Sequence, residues 1–277
     1  MKNLKKFIVL TLALLLVMSY PARVSAVEVR TTKTVTTQKQ FKTALKDDNI
    51  GTIVIKPKKK TTFDFKNIEC DKDIKVYLDY ATLKNIDQSD TGWITPYVST
   101  QKQLENAFKM KRVINIYIVT KKKLNFEINE SAEANNLFIN TPNSNWVFNE
   151  KVWFVEVDDL ENGTITDNAD NGFRIEKNIK NLTVGKKAEG TEVQIAQDKV
   201  SKPVKMSVKG DLNKLTMYSS TPVEITFSKS STTDYVFIDN WAEKTFSLTV
   251  NGKKQKVMNG KLNKDGEVLS YEKIVIS

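Results

Sequence analysis

The chain contains no histidine and a single cysteine, Cys70, among its 277 residues. The first absence removes Ser-His-Asp and Cys-His catalysis and every histidine-ligated metal site. The second removes an internal disulfide framework and thiolate zinc sites, and Cys70 is expected to pack as a small apolar residue. Arginine is scarce too: beyond residue 26 only Arg30, Arg112 and Arg174 occur. Positive charge is therefore carried by lysine, a point charge without the guanidinium fork. The chemistry left open is that of carboxylates, of an Arg or Lys base, and of calcium.

Long apolar runs are also lacking, with one exception. Phe7 to Met18 follows Lys2, Lys5 and Lys6 and precedes the small residues of Val24-Ser25-Ala26. That is the pattern of a secretory signal peptide over residues 1–26; the run is shorter than the ~20 residues of a spanning helix. A soluble chain over 27–277, without a membrane anchor after cleavage, is the expectation. The whole chain carries +10; without the leader, 39 Lys and Arg face 33 Asp and Glu. A mildly basic exported protein suits an anionic cell wall or acidic glycan. Nucleic acid is not expected, because the lysines are not interleaved with aromatics. The composition resembles that of exported proteins of low-GC Gram-positive bacteria, and an extracellular, wall-associated place is the expectation.

What is present is a duplication. Val35 to Lys66 and Val98 to Asn129 align without a gap at an offset of 63, with 13 of 32 positions identical. Each copy predicts a helix followed by two strands. Thr37 with Gln40, and Thr100 with Gln103, fit capping boxes. Phe41, Ala44 and Leu45 then form a narrow apolar stripe, as do Leu104, Ala107 and Phe108. Ile53 and Ile55 alternate with outward residues, as do Phe63 and Phe65, and Ile116, Ile118, Phe126 and Ile128 match them. A unit that cannot bury its own face stacks on a copy.

The lead-in from Val27 to Thr34 predicts extended chain. The first unit with its connector, Asp87 to Tyr97, is placed at 27–97 and the second at 98–145, with Thr141-Pro142-Asn143 as a turn. From Trp146 onward no helix is predicted. Short strands recur at about 9 to 13 residue spacing. Pairing every third strand gives 182 with 215, 193 with 225, 206 with 236 and 215 with 248, which predicts a solenoid of three strands per turn. Asn251-Gly252 and Asn259-Gly260 predict hairpin turns, with Phe246 to Val250 and Lys253 to Val257 as a closing flap. Ile274 and Ile276 predict a last strand. The fold class expected is thus mainly β: coils over 146–277 closed by a hairpin cap, continuous with the duplicated helix-strand-strand units in one domain over 27–277.

TQKQFKTALKDDNIGTIVIKPKKKTTFDF resembles the entry turn of right-handed parallel β-helix proteins of the pectate-lyase-like class, where a helix plugs the open end. LENGTITDNADNGFRIEKNIKNLTV resembles interior coils of that class, with Asn at turns and Ile or Val inward. The resemblance implies an Arg or Lys base and calcium held by carboxylates. Arg174, placed outward between Phe173 and Ile175, has Asp158, Asp159, Glu161, Asp167 and Asp170 nearby in sequence, and calcium takes about 6–8 such oxygens. Paired-Asp strand motifs are absent, so no catalytic residue is carried over.

Three further patterns stand out. Ser99 to Lys102 matches S-x-x-K, but its counterpart Thr36 to Lys39 assigns it to the helix cap. Lys58, Lys59 and Lys60 occupy the same repeat position as Lys121, Lys122 and Lys123, a turn able to meet an anionic polymer or to lie solvated. Trp93, Trp146, Trp153 and Trp241 can each stack on a sugar or lie buried. The function expected is non-catalytic binding or scaffolding toward an anionic cell-wall polymer or glycan. A polysaccharide lyase or glycoside hydrolase is the alternative.

Overall fold

The structure is a computed structural model. It describes residues 30–167, 172–196, 202–241, 246–257, 259–265 and 267–271. The leader expected at 1–26 and the strand expected at Ile274 and Ile276 lie outside the described residues. Residues 31–277 form one compact unit, a mainly β parallel solenoid of about 10 turns.

Each turn is a rung of two segments meeting at a corner. The first rung pairs β1 (Thr31–Val35) with helix α1 (Gln38–Leu45), the second β2 (Ile50–Ile55) with β3 (Thr61–Asp64), and the third β4 (Asp73–Tyr77) with β5 (Ala81–Lys84). The fourth joins β6 (Ile94–Val98) to helix α2 (Gln101–Phe108), and the fifth β7 (Asn115–Val119) to β8 (Asn125–Ile128). In the next three rungs one strand rounds the corner unbroken: β9 (Ala132–Phe148), β10 (Val152–Asp167) and β11 (Gly172–Lys187). Then come β12 (Thr191–Ile195) with β13 (Val204–Val208), β14 (Leu212–Met217) with β15 (Val223–Phe227), and β16 (Tyr235–Asn240) with β17 (Phe246–Val250). The closing strands β18 (Lys253–Val257), β19 (Gly260–Asn263) and β20 (Val268–Tyr271) pair antiparallel, on β17, β16 and β19 respectively.

The number of strands per turn corrects the sequence expectation. Leu182 pairs with Met206, Val193 with Leu215, Met206 with Ile225 and Leu215 with Ile238, which are 24, 22, 19 and 23 residues on. Every second strand stacks, not every third. Strands spaced evenly along a chain look periodic at any multiple of their spacing, so spacing alone could not choose. The short separate strands expected from Trp146 onward are merged in two places, into the single strands β10 and β11. Thr141-Pro142-Asn143 is the bend within β9, and the 145/146 boundary falls inside that same strand.

The 63-residue duplication spans three rungs. β1 corresponds to β6, so the repeat begins earlier than the helix, and the expected connector contains the first strand of the second copy. α1 packs on β1, β2 and β3, and α2 on β6, β7 and β8. α2 stands in the fourth rung, where a second-column strand is replaced; β3 and β5 accordingly form their own two-stranded sheet and β8 starts a new ladder.

Period-two alternation points aliphatic residues into the solenoid. One inner row reads Ile116, Leu137, Val155, Phe173, Val193, Leu215 and Ile238, all buried. Each such side chain contributes about 1.5–3 kcal/mol by burial. At the first rung an adjacent inner row, Ile94, Ile74 and Ile53, ends at Lys33, although Val35 beside it stays buried. The inward positions of β6, Ile94 and Pro96, are buried, whereas their counterparts in β1, Thr31 and Lys33, are exposed. An inward charge at a sheet edge blocks further strand pairing. At the other end β17 and β18 form the expected flap, turning at Asn251 and Gly252 with φ of 46° and 80°. Asn259-Gly260 is not a simple hairpin turn: Asn259 Oδ1 accepts the Asn240 N–H, and Gly260 opens β19 against Ile238.

Candidate functional site

The caps of the two helices build the corner nearest the lysines. Thr37 Oγ1 accepts the Gln40 N–H at 3.3 Å, and Thr100 Oγ1 the Gln103 N–H at 3.4 Å. The glutamine side chains reach one residue further back than a capping box predicts, accepting from the Thr36 and Ser99 N–H groups. Ser99 and Lys102 are thus cap residues, and Ser99 Oγ also donates to Asp79 Oδ1. Gln38 and Gln101 act as single peptide units. Gln38 donates to the Asp64 carbonyl and accepts its N–H, at 3.0 and 3.1 Å; Gln101 does the same to Glu127, at 2.8 and 3.0 Å. Each thereby completes the edge of the second-column strand that follows.

Lys58, Lys59 and Lys60 lie exposed between β2 and β3, and Lys121, Lys122 and Lys123 lie exposed between β7 and β8. Both triplets occupy the same corner. They are separated by three rungs, about 14 Å at ladder spacing, which exceeds a Debye length of about 8 Å at physiological salt. Repulsion between the two triplets is therefore largely screened. No ion pair to any of the six occurs among the described residues. Between them Tyr80 is 51% exposed, one rung from Lys60.

Beside this corner runs a feature that the sequence reading missed. Tyr77, Tyr97, Tyr117 and Phe138 occupy one outward position in four consecutive rungs. Their rings stack nearly parallel, with centroids 4.6, 4.9 and 4.5 Å apart. Lys56 Nζ closes one end, 4.2 Å from the Tyr77 centroid. Burial, then the neighbouring Tyr77 and Tyr117, raise the Tyr97 phenol above its ordinary value. The ring faces cover one another. The signal was an aromatic every 20 or 21 residues, visible only once the rung length is known. Asparagines form parallel ladders: Asn181 donates to Asn162, Asn162 to Asn145 and Asn145 to Asn125, at 2.8, 2.8 and 3.0 Å.

Of the carboxylates grouped with Arg174 in sequence, Asp158 and Glu161 are engaged by other groups. Arg174 does point outward, but its Nε donates to Glu176 at 2.6 Å. Asp158 sits at the corner, bonded by Asn140 Nδ2 and Lys177 Nζ at 2.7 Å each. Burial, then the adjacent Asp158, push the Asp159 carboxyl up. Glu161 pairs with Lys180 at 2.6 Å. Asp170 and the Asp167 side chain lie outside the described residues. Among the described residues no group of three or more acidic, cysteine or histidine side chains could hold a metal ion. Trp146 is buried and donates to Thr141 Oγ1 at 2.9 Å, whereas Trp93, Trp153 and Trp241 are exposed. Cys70 is free and half-buried.

No protein-family model, curated protein or solved structure matches the chain.

Proposed function

We propose that this is a secreted or cell-surface protein of the right-handed, pectate-lyase-like β-helix type. It serves a non-catalytic binding or scaffolding role toward an anionic cell-wall polymer or glycan. The observation that carries the reading is the lysine corner: six exposed lysines in two triplets, without ion-pair partners among the described residues, along one line of the solenoid. An extended polyanion lying along that line meets both triplets at once, and each contact lowers the cost of the other. The ring of Tyr80 between them offers an apolar surface to a sugar. The lyase or hydrolase alternative draws less support, because Arg174 is engaged by Glu176, and Asp158 and Glu161 are engaged by lysines.

The test is cosedimentation with purified Gram-positive cell walls across a salt series. Retention is expected to collapse between low and high salt as the lysines are screened. Alanine at all six lysines is expected to abolish retention with the circular dichroism spectrum unchanged. Retention that ignores both salt and the six substitutions refutes the role.

A further inference from the structure

The outward face of the first-column strands carries a cleft of about 480 Å³ at its C-terminal end, far from the lysine corner. It forms where the antiparallel β19 lies on β16. Lys261 stands opposite Phe237 in that ladder, and Gly260, which brings no side chain, stands opposite Ile238. The cleft is lined by Glu192, Lys214, Phe237, Asp239, Asn259 and Lys261, among others.

Three properties of this lining define a ligand. First, its polar groups are held in place. Lys214 Nζ binds Asp239 Oδ2 at 2.9 Å, Glu192 sits one rung below Lys214, and Asn259 is fixed through Oδ1 by the Asn240 N–H, which leaves its Nδ2 to donate elsewhere. Second, an apolar surface lies among them. Phe237 is 40% exposed, edge-on to Tyr235 with centroids 5.1 Å apart, and Lys261 Nζ lies 4.7 Å from its centroid. Third, the two lysines and two carboxylates cancel, so the cleft exerts no net pull on a simple ion. Fixed donors and acceptors around one aromatic ring, without net charge, match a molecule with a ring of hydroxyls and an apolar C–H face. The volume falls within the ~300–1,000 Å³ of small-ligand sites.

We propose that this cleft binds one or two units of a saccharide. The sugar lies against Phe237, its hydroxyls bond Asp239, Glu192 and Asn259, and Lys261 turns aside to join a hydroxyl or carboxylate. Pre-set polar groups reduce the ordering cost of such binding. The site shares no residue with the lysine corner.

Saturation-transfer NMR of the full chain tests this with short cello-oligosaccharides, chito-oligosaccharides and oligogalacturonides. The neutral and uronic probes distinguish hydroxyl recognition alone from carboxylate recognition by Lys261. Transfer to at least one probe is expected, with affinity reduced tenfold or more by Phe237→Ala and by Asp239→Asn, and unchanged by alanine at the six corner lysines. Phe237 points to solvent and Asp239→Asn is isosteric, so both variants are expected to keep the parent circular dichroism. Absence of transfer from every probe overturns the proposal, as does wild-type affinity in either variant. Loss of cell-wall retention in the lysine variant with cleft binding intact would leave both sites standing as separate functions.

Discussion

Replacing Lys72 by methionine probes how rungs are tied to one another. Lys72 is 4% exposed, and its Nζ donates to the carbonyls of Asp47 at 2.8 Å and Ile50 at 2.7 Å. These carbonyls belong to the chain leaving α1, so one side chain of the third rung fastens the loop below it. The duplication contains the same device. Asn135, 63 positions on, donates to the carbonyl of Val113, the counterpart of Ile50, at 2.9 Å. A hydrogen bond from a charged donor contributes about 1.5–3 kcal/mol, and an orphaned buried carbonyl costs about 1–3 kcal/mol. Relief of the buried ammonium offsets part of that loss, and the methionine stem fills the same space. The net expectation for Lys72→Met is a loss of about 2 kcal/mol, and for Asn135→Ala, which gives up one neutral bond, about 1 kcal/mol. Urea unfolding at unchanged m-value reads both. Hydrogen exchange is expected to quicken at residues 46–53 in the first variant and around 109–116 in the second. A Lys72→Met midpoint equal to the parent's, with exchange unchanged, would refute the clamp.

Two other outcomes are expected. Gln101→Ala removes both bonds to the Glu127 backbone, so the Glu127 amide is expected to lose exchange protection, at a global cost of about 1 kcal/mol; Gln38→Ala is expected to do the same at Asp64. The Tyr97 phenol is raised in the folded chain, so the fold holds its proton more tightly than the unfolded chain does. That stability is present below pH 10 and is lost as pH rises through the folded value. Ultraviolet titration is expected to show one late-ionising tyrosine, absent in Tyr97→Phe. A full set of ordinary phenol titrations in the parent would contradict the buried ladder.

Legibility followed the range of each interaction. The capping threonines, the Phe41-Ala44 and Leu104-Ala107 stripes and the Asn251-Gly252 flap are fixed by neighbours a few positions away, and the structure has them where the sequence placed them. The aromatic ladder escaped because Tyr77, Tyr97 and Tyr117 meet only across rungs, and no rung length was read for that part of the chain. Arg174 was read correctly as outward, since period two decides that locally. Its partner was not, because Glu176 on the same strand competes with carboxylates that lie elsewhere in space. The cleft at Phe237 was invisible for the same reason: Lys261 and Asn259 arrive there by antiparallel pairing of a distant segment.

By itself the sequence determined that the chain is mainly β, that inward aliphatic residues alternate with outward polar ones, and that a 63-residue unit occurs twice. Backbone geometry converts composition into those outcomes with no help from distant residues. Only the tertiary structure decided that two strands make a turn, that the duplicated unit is three rungs, and which outward side chains stand beside each other. Those choices depend on how much the chain bends at each corner. Those bends close around an enclosed core, Trp146, Phe126 and Leu182 among it, whose members come from different rungs.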